Sequence, residues 1–149
     1  EPLMEDREWN EAILGILRKD SHYDVRAYDF VNKSVEYAIG REARGSRPSG
    51  NRHVSGSELV RGVLEYAVSV YSVFVCDVFR YWNLQAGRDV GNVVYNMIDA
   101  GLLSAGPNDA IEDFDCADDL IFLAGEILRR SRASVPRVGD PAPALPALD

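Results

Sequence analysis

Few side chains in this sequence could do chemistry beyond packing. The histidines are His22 and His53, and the cysteines are Cys76 and Cys116. Two isolated histidines cannot supply a three-histidine zinc site, and neither cysteine belongs to a CxxC pair. Both cysteines read as reduced thiols of a cytosolic protein, Cys76 in an apolar helical stretch and Cys116 in an acidic loop. Arg52 and His53, close to Glu58, could surround an anion or serve acid–base work if their side chains converge. Ser55 lies beside His53, but its position before a helix gives it a simpler duty as a cap. Tyr95 and Asn96 complete the candidates, because helical periodicity alone does not require their polar groups.

The run from Asp109 to Asp119 holds Asp109, Glu112, Asp113, Asp115, Asp118 and Asp119 and no base. Clustered carboxylates can hold calcium or magnesium, yet the EF-hand pattern fails. Counted from Asp113, Asp118 stands where glycine belongs and Ala124 where glutamate belongs. The run reads as a solvated acidic loop, with docking of a basic partner as its functional alternative. Glycine-rich phosphate loops of the GxGxxG or GxxxxGK[ST] type are missing, as is a GxSxG nucleophile turn. No metal, cofactor or catalytic residue is therefore assigned.

These residues need a scaffold, and apolar spacing supplies one. Trp9, Ile13, Ile16 and Leu17 predict a helix over 7–19. Tyr28, Val31, Val35, Ala38 and Ile39 predict another over 25–42. Residues 43–53, rich in glycine and serine and carrying Arg44, Arg47 and Arg52, read as a flexible loop. Ser55-Gly56-Ser57-Glu58 fits a capping box and starts a central helix lined by Leu59, Val63, Ala67 and Val70. Residues 70–82 are rich in β-branched and aromatic types. Val75, Val78, Phe79 and Trp82 nevertheless keep helical spacing, with a kink near Ser72. Tyr66, Tyr71, Tyr81, Trp82 and Tyr95 read as core rather than as a binding patch.

A helix over 88–100 should end at Gly101 as its left-handed C-terminal residue. Two short apolar segments around Gly106-Pro107-Asn108 predict a β-hairpin near 102–114. A last helix is expected over 117–130. The proline-rich stretch 131–149 is expected to be a disordered tail. The fold class is thus mainly α: five or six helices around one core, in a single domain over 1–130, with a short hairpin. Helix, turn, helix and hairpin over 74–114 add a winged-helix-like arrangement as the finer expectation.

Arg52-His53-Val54-Ser55-Gly56-Ser57-Glu58-Leu59, followed by Gly62, Tyr66 and Ala67, resembles the signature of an uncharacterised bacterial protein family. So does 90–103, ending in Ala100-Gly101-Leu102-Leu103, with Glu112-Asp113-Phe114 after it. The likeness covers about residues 8–120. It implies a bacterial, cytoplasmic protein and carries no activity or site residue. A Gly-Pro break between helices belongs at 72–74 in that pattern, where this chain has Ser72-Val73-Phe74.

The 149 residues carry a net charge of −8. Acidity of this degree repels phosphate backbones and anionic membrane faces at long range. No uninterrupted apolar run approaches the ~20 residues that span a bilayer, and the start lacks the pattern of a signal peptide. The leading expectation is a non-enzymatic protein-interaction or regulatory module, with homo-oligomers left open, nucleic acid disfavoured and no membrane contact. One alternative is a winged-helix nucleic-acid binder using Arg88 with Arg44, Arg47 and Arg52. The other is an enzyme built around Arg52, His53 and Glu58.

Overall fold

The computed structural model describes residues 2–44 and 53–133. Among them are six α-helices, two short 3-10 turns and no strand. The helices are α1 (Pro2–Lys19), α2 (Val25–Arg44), α3 (Gly56–Tyr71), α4 (Val75–Trp82), α5 (Gly87–Asp99) and α6 (Leu120–Ala133). The mainly helical expectation holds. Helix α2 runs on to Arg44, α6 starts three residues later than expected, and α6 continues through 131–133. Arginines at the end of α6 oppose the negative pole of its dipole. The expected loop over 45–52 and the expected tail over 134–149 lie outside the described residues.

Helix α3 occupies the centre because apolar side chains cover much of its circumference. Leu59, Val60, Val63, Leu64, Ala67 and Val68 are all buried. It packs on α2 on one side and on α6 on the other. Its start is the capping box read from the sequence. The Glu58 amide donates to Ser55 Oγ at 3.2 Å, and the Ser55 amide donates to Glu58 Oε1 at 2.8 Å. Phe30 anchors an aromatic cluster, with Tyr66, Tyr71 and Trp82 ring centroids 5.3 to 5.8 Å away. Tyr81 is the exception among the expected core aromatics: it is 67% exposed, with the Arg26 guanidinium 5.0 Å from its ring centre.

The kink falls where expected. Ser72 has φ 49° and ψ −124°, a region that side-chain-bearing residues rarely adopt. A 3-10 turn over 72–74 then redirects the chain into α4. Around it Val70 and Val73 stand about half exposed and Phe74 65% exposed. By length and composition the helical stretch Gly56–Trp82 could cross a membrane, and 39% of its most apolar window is buried in the fold. Ser72→Gly should raise stability by about 1 kcal/mol, since glycine adopts this geometry without strain. Urea denaturation measures the change, and a loss of stability would show that the Ser72 side chain holds the turn.

The hairpin near 102–114 is not formed, and neither is the wing it would have made. Residues 102–110 follow bends and turns, and Ile111–Phe114 is a 3-10 turn. The reason lies in the aspartates. Asp109 Oδ2 accepts from the Gly106 amide at 2.6 Å, and Asp113 Oδ2 from the Ala110 amide at 3.1 Å. Carboxylates that reach back three residues satisfy the backbone locally, and a strand ladder loses its donors. Upstream, α5 ends as predicted. Gly101 has φ 79°, its amide donates to the Ile98 carbonyl at 3.0 Å, and the Leu102 amide to Met97 at 2.8 Å.

Three glycines seat this irregular segment against the helices. A Cβ on Gly87 would collide with the Phe114 carbonyl oxygen, while the Gly87 amide donates to the Ala117 carbonyl at 2.8 Å. A Cβ on Gly56 would stand 2.8 Å from Asp113 Cβ. Gly91, one turn beyond Gly87, makes room for the Phe114 ring. Helix α5, the start of α3 and residues 103–114 are thereby locked into one wall.

Candidate functional site

That wall encloses a pocket of about 110 Å³. Helix α5 contributes Val94, Tyr95 and Ile98, the start of α3 contributes Gly56 and Leu59, and α2 contributes Val35. His53 and Val54 enter from the segment before α3. Leu103, Ser104, Asp109, Asp113 and Phe114 close the far side. Apolar side chains make most of the surface, and a few polar groups converge on it, which is the usual composition of a small-ligand site.

His53 Nε2 lies 2.9 Å from Asp109 Oδ1. The other Asp109 oxygen is held by the Gly106 amide, which fixes the carboxylate plane. The Tyr95 hydroxyl oxygen is shut off from solvent and has no hydrogen-bond partner among the described residues. Burial pushes the Tyr95 phenol above its ordinary value, and the charges of Asp109, Asp113 and Glu112 push it further. Tyr95 is therefore a neutral hydroxyl at physiological pH. The Phe114 ring stands edge-on to it, 6.4 Å between centroids.

The residues singled out in the sequence separate in space. His53 and Tyr95 meet in this pocket. Arg52 lies outside the described residues. Asn96 turns the other way: its Nδ2 donates to the buried Tyr28 hydroxyl at 3.1 Å, and it borders a different cavity between α1 and α5. One turn earlier, Asn92 Nδ2 donates to the Tyr23 hydroxyl at 2.8 Å, and that hydroxyl donates to Asp89 Oδ1 at 2.6 Å. Desolvation, ahead of the Asp89 contact, drives the Tyr23 phenol strongly upward. Glu58 serves the capping box and faces the groove between α3 and α6. His53 and Glu58 thus open onto different cavities.

The acidic run is largely exposed, as expected, yet four of its carboxylates also hold partners. Asp109 and Asp113 brace the pocket wall, and Asp119 caps α6 by accepting from the Phe122 amide at 3.0 Å. Asp115 accepts from Arg88 Nε and Nη2, at 2.8 and 2.5 Å. No group of three or more His, Cys, Asp or Glu side chains among the described residues could hold a metal ion. Both cysteines are free thiols.

Sequence reasoning missed Asp109, Asp113 and Phe114 as site residues. One local signal was available, since each aspartate stands three positions after a small residue whose amide it takes. The pairing of His53 with Asp109, 56 positions apart, leaves no trace in spacing. Compared with protein-family models, curated proteins and solved structures, the chain matches none.

Proposed function

We propose that this chain is a non-enzymatic binding module, and that its recognition site is the pocket between α3, α5 and residues 103–114. The observation that carries this reading is the pocket itself, largely apolar, with His53, Asp109, Asp113 and Tyr95 among its lining residues and the Tyr95 hydroxyl desolvated and unpartnered. A buried polar group without a partner costs ~1–3 kcal/mol. A ligand that supplies the missing hydrogen bond recovers that cost. The reading includes a cytoplasmic location and membership of the bacterial family that residues 52–59 and 90–103 resemble.

The enzymatic alternative has weaker support, because His53 and Glu58 face different cavities and Ser55 Oγ is spent on the Glu58 amide. The nucleic-acid alternative loses its best cation to Asp115.

Tyr95→Phe tests the proposal through two opposed effects. It should stabilise the unliganded protein by about 1 kcal/mol by deleting the orphaned hydroxyl. It should also abolish amide shifts that small polar-tipped ligands induce at Val94–Ile98 and Gly106–Ala110 in NMR titrations. Destabilisation by a similar amount would mean that the hydroxyl is already satisfied, and the proposal would fall.

A further inference from the structure

We infer that the outer side of α4 is the contact face of a two-fold dimer, in which α4 packs antiparallel against α4 of a second copy. No residue of α4 lines the pocket described above, so this inference stands apart from the binding reading. The helix reads Val75-Cys76-Asp77-Val78-Phe79-Arg80-Tyr81-Trp82 and is apolar around most of its circumference. Helices of that kind are normally enclosed. Here the fold encloses one side. Val75, Phe79 and Trp82 are buried, where α3 and α6 pack on the helix. Phe74, Val78 and Tyr81 recur at i, i+4 and i+7 and make a second apolar stripe on the other side. Phe74 is 65% and Tyr81 67% exposed.

The kink widens that stripe. Ser72 takes a φ of 49°, and the 3-10 turn that follows leaves Val73 about half exposed, as is Val70 before it. With Phe74 and Tyr81, these valines offer roughly 500 Å² of open surface, most of it apolar. A standard interface buries about 800 Å² on each partner, a little over half of it apolar. The patch therefore supplies what one half of a dimer needs.

Charge selects a second copy as the occupant. The ionised side chains of α4 are Asp77 and Arg80, 76% and 60% exposed, and both stand on the same flank of the stripe. A two-fold axis at right angles to the helix reverses its direction and brings equal flanks together. Centred near Val78, it sets Asp77 against Arg80 of the second copy and Arg80 against Asp77, while Phe74 meets Tyr81. The face is its own electrostatic complement, in a chain that carries −8 overall. A uniformly basic or uniformly acidic partner would match one of the two charges and oppose the other.

Sedimentation of the full chain from about 1 µM to about 1 mM tests the inference. The protein should pass from monomer to dimer within that range. Phe74→Asp should weaken the dimer at least a hundredfold, with helical circular dichroism unchanged because the ring is exposed in the monomer. Arg80→Asp gathers four carboxylates at the seam and should weaken it at least tenfold. Asp77→Arg combined with Arg80→Asp restores opposite charges across the axis and should bring the affinity back to within about threefold of the original. A monomer at every concentration would overturn the inference, as would a dimer indifferent to both Phe74→Asp and Arg80→Asp. A monomer that sediments with phosphatidylcholine vesicles, and ceases to with Phe74→Asp, would overturn it in favour of a lipid surface.

Discussion

Gly87→Ala is expected to cost about 3 kcal/mol or more, because the added methyl has nowhere to go. Its Cβ would fall on the Phe114 carbonyl oxygen, and the next atom in its path is the Ala117 carbonyl oxygen. Both belong to backbone, so no flexible side chain can swing aside. Relief requires the 114–117 segment to lift from α5. That breaks the bond from the Gly87 amide to Ala117 and withdraws the Phe114 ring from its place over Gly91. Phe114 is 5% exposed, so its withdrawal also uncovers apolar area. Urea denaturation measures the loss, and hydrogen exchange should show residues 113–117 opening ahead of the helices. A loss below 1 kcal/mol would mean that the segment slides without penalty and is not a fixed wall.

Phe79→Ala should cost about 4 kcal/mol. Phe79 is completely buried on α4, a short helix that packs against both α3 and α6. Truncation removes a ring's worth of apolar burial and leaves a cavity that surrounding helices cannot fill without moving. Domains of this size have total stabilities of ~5–15 kcal/mol, so the variant should be marginal, with Tm lowered by roughly 10–20 °C. Calorimetry reads this directly. A fall of only a few degrees would show that α4 is loosely docked.

The helical part of this architecture was legible because burial forces a period on the sequence. Ile13 and Ile16, Val31 and Ala38, and Leu59 with Val63 all face the core as their spacing required. The capping box at Ser55 and the left-handed Gly101 were equally readable, since each is a local arrangement written in adjacent residue types. The hairpin failed for an instructive reason. Two apolar segments around Gly106-Pro107 are compatible with strands, but the aspartates three positions on compete for the same amides and win.

The pocket was half legible. His53 and Tyr95 were singled out because no helix needed their polar atoms. Asn96 was singled out on the same ground, yet its carboxamide has a structural duty against Tyr28. The backbone duties of Asp109 and Asp113 were hidden, because a run of acids gives no hint of which members will be recruited by backbone. The seat formed by Gly56, Gly87 and Gly91 was invisible, since each glycine answers to residues far away in the chain.

The paired carboxamides of Asn92 and Asn96 bear on where Tyr95 points. Each is fastened to a tyrosine hydroxyl contributed by the chain between α1 and α2 or by α2 itself. Turning α5 about its axis by a single position would strand both amides and both phenols at once. These two latches act as a rotational key, so the azimuth of Tyr95 is decided on the adjoining face of its own helix.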